Sequence, residues 1–145
     1  MKSRRTKTVF TILVLAGLAL GSVFAEGKSG DDPLEAFFFP PELVMQHQNR
    51  IGLSAEQKAT LREEVARAQQ RFTSLQWNLQ DAFERFAGTL DAPTLDEGRV
   101  LQGLEQVLDA EREVKRAQIR LLVSIKNLLD EDQQAELRRV RAGTR

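Results

Sequence analysis

Between Ala55 and Ala87 apolar residues return in steps of four and three, at Leu61, Val65, Ala68, Phe72, Leu75, Leu79, Ala82 and Phe86, with polar residues filling the intervals. This spacing draws one narrow seam along a helix, close to 50 Å long at about 1.5 Å per residue. Gly88 and Asp91-Ala92-Pro93 predict its end. A second seam follows over Leu95–Leu128, through Val100, Leu104, Val107, Val114, Leu121, Ile125 and Leu128, widened by Leu101, Leu108, Leu122 and Leu129. It narrows in the middle, where Glu111 and Gln118 take seam positions and Lys115 interrupts the flanking row. With a turn near Asp91, Glu111 falls level with Arg71 and within a turn of Arg67. The pattern therefore predicts an ion pair across the hairpin at that point. Shorter helices are predicted on either side. One begins at Pro41 and ends near Ile51-Gly52, and one runs from Glu131 to about Arg141 with Leu137 and Val140 as anchors. No alternating β-branched run occurs. The fold class is all-α, a long antiparallel helical hairpin with short flanking helices, four helices in total. Seams this long on two helices leave apolar surface over, so a homodimer is expected.

The helix starts carry their own chemistry. In Leu53-Ser54-Ala55-Glu56-Gln57, Ser54 is an N-cap whose hydroxyl accepts from the Gln57 N–H, and the Gln57 side chain returns to the Ser54 N–H. The arrangement recurs in Leu129-Asp130-Glu131-Asp132-Gln133, with Asp130 as cap and Gln133 in the returning position. Thr94 and Glu97 predict a third capping box. Loss of Ser54 or Asp130 is expected to cost about 1 kcal/mol, and loss of Gln57 less.

Ahead of the helices, Lys2, Arg4, Arg5 and Lys7 form a basic region, Val9 to Leu20 an apolar one, and Val23-Phe24-Ala25 a small-residue cleavage site. Residues 1–25 read as a signal peptide, 26–39 as a flexible lead-in and 40–145 as a single helical domain. Phe37-Phe38-Phe39 is expected to fold back on the helices rather than stand open to a partner. Cleavage after Ala25 leaves 17 basic against 21 acidic residues, a net charge of −4. This argues against a nucleic-acid partner, and no stable membrane insertion is expected once the leader is gone. Cysteine and tyrosine are absent, histidine occurs once, and there is no phosphate loop or nucleophile elbow. An enzyme is not expected.

Capped hairpins behind a signal peptide, with the motifs LSAEQ at 53–57 and LDEDQ at 129–133, resemble the Spy/CpxP family of periplasmic stress proteins, marked by two LTxxQ motifs. Both copies depart from that pattern at the Thr, to Ser54 and Asp130, each a good N-cap. The resemblance covers Pro40 to Arg141. It implies a hook-shaped hairpin, a cradle-like homodimer, and a periplasmic chaperone or accessory inhibitor whose partners are unfolded envelope proteins or the periplasmic domain of a sensor kinase. The residues that suit client binding are Arg112, Lys115, Arg116, Arg120 and Lys126, with apolar neighbours beside them; the alternative for these is a solvated helix face. A second reading is a heavy-metal sensor or resistance protein of the CnrX/ZraP type. Metal-binding relatives use histidines one helical turn apart, and His47 stands alone. No cofactor is therefore expected, and His47 is the one candidate ligand for a Zn, Ni or Cu ion. A third reading is a structural helical adaptor.

Overall fold

The computed structural model describes residues 36–143. The signal peptide and all but the last residues of the lead-in lie outside them. The chain divides after Ala36, and the helical unit begins at Phe37. Its elements are α1 (Pro41–Gln46), α2 (Ala55–Leu90), α3 (Glu97–Leu128) and α4 (Glu131–Gly143), with no strand among the described residues. The two long helices pack along one another as the hairpin the seams predict.

Pro41 opens α1 at its first position, where a missing N–H costs nothing. The helix stops at Gln46, earlier than the sequence suggests, and turns carry the chain through Ile51 to Gly52. Gly52 sits at φ +66°, a conformation that side chains rarely tolerate, and from it the chain enters the Ser54 cap.

One expectation about the hairpin turn holds and one is corrected. Helix α2 runs past Gly88 and ends at Leu90 with Asp91 as its C-cap, at the Asp91-Ala92-Pro93 break. The cap of α3 is Asp96, not Thr94: its carboxylate accepts from the Arg99 N–H at 2.8 Å. Aspartate is the stronger capping residue, and this choice starts the helix two residues later. The centre of the turn therefore lies nearer to Pro93 than to Asp91.

That displacement changes the register. Phe86 meets Gly103 so closely that a Cβ there would stand 2.9 Å from the ring, so residues at one level carry numbers adding to about 189. Carried along the hairpin, this places Leu79 level with Ala110 and Phe72 level with Ala117. Gly103, Ala110 and Ala117 recur at heptad spacing, small residues opposite large ones. The seam in the middle of α3 thus runs through alanines, one position from Glu111 and Gln118, which lets the helices stay close.

Burial is uneven. The fully enclosed side chains, Phe39, Val44, Ile125 and Leu137, all lie at the open end of the hairpin, where α1, α4 and the ends of α2 and α3 meet. Ile51, Leu53, Leu61, Ala117, Leu121, Leu129 and Val140 complete this core. Toward the turn only Leu75, Ala82 and Val107 are buried. A two-helix ribbon has one buried face, and no third element covers it there. No described helix is long and apolar enough to cross a membrane.

Candidate functional site

Both capping boxes form. The Gln57 N–H donates to Ser54 Oγ at 3.1 Å and the Ser54 N–H to Gln57 Oε1 at 3.0 Å. The Gln133 N–H donates to Asp130 Oδ1 at 2.8 Å and the Asp130 N–H to Gln133 Oε1 at 3.1 Å. Leu53 and Leu129, which precede the two caps, are both buried.

The tertiary structure then brings the two motifs together. Gln57 Nε2 donates to Gln133 Oε1 at 2.8 Å, and Gln133 Nε2 donates back to Gln57 Oε1 at 3.0 Å. Gln57 Nε2 also donates to the Leu128 carbonyl at 2.9 Å, and Gln134 Nε2 to the carbonyls of Lys126 and Leu129. The carbonyls of Leu128 and Leu129 at the end of α3 are thereby satisfied by side-chain amides, while that of Lys126 also accepts from the Leu129 N–H. Gln133 is the one buried polar residue among those described. Each glutamine thus closes its own cap and holds the other motif. A signal for this was present in the sequence, since both motifs end in an amide, the one side chain able to accept from its cap and donate outward at once.

The aromatic triplet splits as the chain rises into the core. Phe39 is buried with Arg141 over its ring, Phe38 is half-buried under Lys126, and Phe37 stays exposed. The Arg141 guanidinium also donates to the Phe38 carbonyl at 2.6 Å. Nearby, Arg50 and Arg139 both bond the Glu136 carboxylate, at 2.8 and 2.9 Å. The hydrogen bond from Arg50, then that from Arg139, holds the Glu136 carboxyl below its usual range.

The basic residues of α3 do not act as one free patch. Arg112 pairs with Asp109 and Arg116 with Glu113, each three residues back on the same helix. Lys126 lies over Phe38, while Lys115 and Arg120 are exposed. Part of the charge of the expected stretch is thus neutralised locally. The expected pairing of Glu111 with Arg71 or Arg67 does not form. Arg71 faces Glu113 at 3.8 Å, Arg67 bonds Glu64 at 2.6 Å, and Glu111 is exposed. Glu113, two residues further on, takes the position across from Arg71 that the pattern gives to Glu111.

Near the turn the hairpin has two unlike flanks. One is a polar groove whose walls include Arg85, Thr89, Arg99, Gln102 and Gln106, with Phe86 and Gly103 between the helices. On the other, Phe83 and Leu90 of α2, Leu101 and Leu108 of α3, and Leu95 in the turn are 39–53% exposed. Trp77 is 61% exposed on the side of α2 turned from α3.

Metal-ligating chemistry is sparse. His47 is half-buried just after α1, and Met45, two residues away, is exposed. Among the described residues no group of three or more His, Cys, Asp or Glu side chains is placed to hold a metal ion.

No curated protein matches the chain. No solved structure does either. A family model described as heavy-metal resistance matches residues 8–136, from ahead of α1 to within α4 and so across both motifs and the whole hairpin. That family lies within the same LTxxQ superfamily as the Spy/CpxP proteins. With most of its length and both motifs inside the match, the chain belongs to the heavy-metal resistance family.

Proposed function

We propose that this protein serves heavy-metal resistance in the periplasm by holding another polypeptide, as an ATP-independent chaperone or as an accessory inhibitor docked on an envelope sensor. The observation that carries this reading is the unpacked flank near the turn, where Phe83, Leu90, Leu95, Leu101 and Leu108 remain open on a rigid helical arm anchored by a well-packed base. Clustered large apolar side chains of this kind mark interaction surfaces. Polar and charged residues alternate with them, which favours weak, reversible capture over tight docking. A homodimer forms in this reading by pairing two arms over part of that flank. Export before folding accounts for the basic and apolar N-terminal pattern.

Family membership supports a second reading, a periplasmic heavy-metal sensor, for which His47 is the candidate ligand. One assay separates the two. Aggregation of a chemically denatured client is followed by light scattering with and without the protein. Suppression that is lost in Leu101→Ser/Leu108→Ser, with helicity intact, supports holding; no suppression at a several-fold excess removes it.

A further inference from the structure

We infer that this protein contributes to heavy-metal resistance without itself coordinating the metal, acting after the ion has done its damage or been detected elsewhere. A structural or sensory transition-metal site takes about four ligands, and imidazole or sulfur donors are what select Zn, Ni or Cu. The 145 residues contain one histidine, no cysteine and two methionines, one of them Met1. His47 and Met45 are two apart at the end of a helix, a spacing that points their side chains in different directions.

Oxygen ligands do not make up the deficit. Glu113 faces Arg71 and Arg116, and Glu136 is shared by Arg50 and Arg139. Asp96 and Asp130 are engaged as helix caps. A cation entering any of these places would first have to displace an arginine or undo a helix start. Among the described residues the interior offers one convergence of polar atoms, the Gln57–Gln133 pair. Both amide oxygens there accept two N–H groups, and both amide nitrogens donate to the opposite glutamine. No buried side-chain nitrogen or oxygen among the described residues lacks a hydrogen-bond partner, so none is aimed inward awaiting an ion. The joint that orders the two motifs is made of amides, where a metal-dependent relative would need imidazole or carboxylate. Two copies sharing a site through His47 would supply only two imidazoles.

The inference rests on the donor set and does not need the holding activity proposed above. Its test uses the protein purified after export and exposed in turn to excess Zn²⁺, Ni²⁺ and Cu²⁺, then desalted for metal analysis. Thermal melting is recorded alongside with free ion and with EDTA. The expected result is well under one ion per two chains and the same melting temperature in both conditions. A ligand at a hundredfold excess over its dissociation constant would raise that temperature by several degrees. Retention of one ion per chain, or one per two chains, abolished by His47→Ala, would overturn it. So would client holding that disappears in EDTA and returns with metal. Failure to hold client under either condition, with metal content nil, would remove the proposed function and sustain this inference.

Discussion

Replacing Gln133 by alanine removes three well-formed hydrogen bonds at once: those to the Asp130 N–H, to Gln57 Nε2 and to Gln57 Oε1, at 3.1, 2.8 and 3.0 Å. Each is worth roughly 0.5–1.5 kcal/mol net. Gln57 keeps the Ser54 N–H and the Leu128 carbonyl as partners, and the Asp130 N–H, on an exposed residue, turns to water, so little desolvation penalty is added. The expected cost is about 2–3 kcal/mol. For a domain of about 100 residues this is a fall in melting temperature on the order of 10 °C or more. Because Gln57 makes three bonds across the joint, one to the Leu128 carbonyl and two with Gln133, Gln57→Ala should cost as much as Ser54→Ala or more, the reverse of what its place in a local capping box suggests. A double-mutant cycle between Gln57 and Gln133, measured by urea unfolding, isolates the reciprocal pair. About 1–2 kcal/mol of coupling is expected; a value below about 0.3 kcal/mol would show that the amides touch without stabilising anything.

Gln133→Glu sharpens the test. A carboxylate can still accept from the Asp130 N–H and from Gln57 Nε2, but its second oxygen then faces Gln57 Oε1 with no proton between them. Burial and that repulsion both disfavour the charged form, raising the folded-state pKa of the new carboxyl above its unfolded value of about 4.3. The folded state then binds more protons than the unfolded one, so the variant gains stability relative to wild type as pH falls from neutrality toward 4. A deficit independent of pH over that range would mean that the amide nitrogen of Gln133 is not needed as a donor.

Two glycines should respond in opposite directions. Gly88→Ala, in a helix interior with nothing near the new methyl, is expected to stabilise by about 0.5–1 kcal/mol, whereas Gly103→Ala should destabilise by about 1 kcal/mol net, because pressing on Phe86 outweighs the gain in helix propensity; equal effects in chemical denaturation would undo the register described above. The stability difference between wild type and Glu136→Gln should be present at neutral pH and vanish as acid carries Glu136 through its lowered pKa, since a carboxylate held by arginines stabilises only while charged; a difference that persists at pH 2 would assign the effect to packing instead. Glu111→Ala should stay within about 0.5 kcal/mol of wild type, as a solvent-facing change does. Sedimentation equilibrium of residues 26–145 at micromolar concentration should give twice the chain mass, and Leu101→Ser/Leu108→Ser should shift it toward the monomer; a clean monomer for the unaltered chain would exclude the dimer.

What the sequence determined by itself is local. Steps of three and four from Leu61 to Phe86 can belong only to a helix, and Ser54-x-x-Gln57 and Asp130-x-x-Gln133 specify helix starts within four residues, so element type and the two motif caps were legible without any partner. The turn was not, because Gly88, Thr94 and Asp96 each offer a plausible boundary and the choice turns on which one the packed hairpin favours. A displacement of a few residues there moved the levels at which the two helices meet, which is why Ala110 and Ala117, unremarkable in a list of apolar positions, carry the contact in the middle. The meeting of Gln57 with Gln133 depends on the same register. Two residues 76 apart become neighbours only when both long helices run their full length and return, and hydrogen-bond chemistry can act between them only after apolar packing has set that distance.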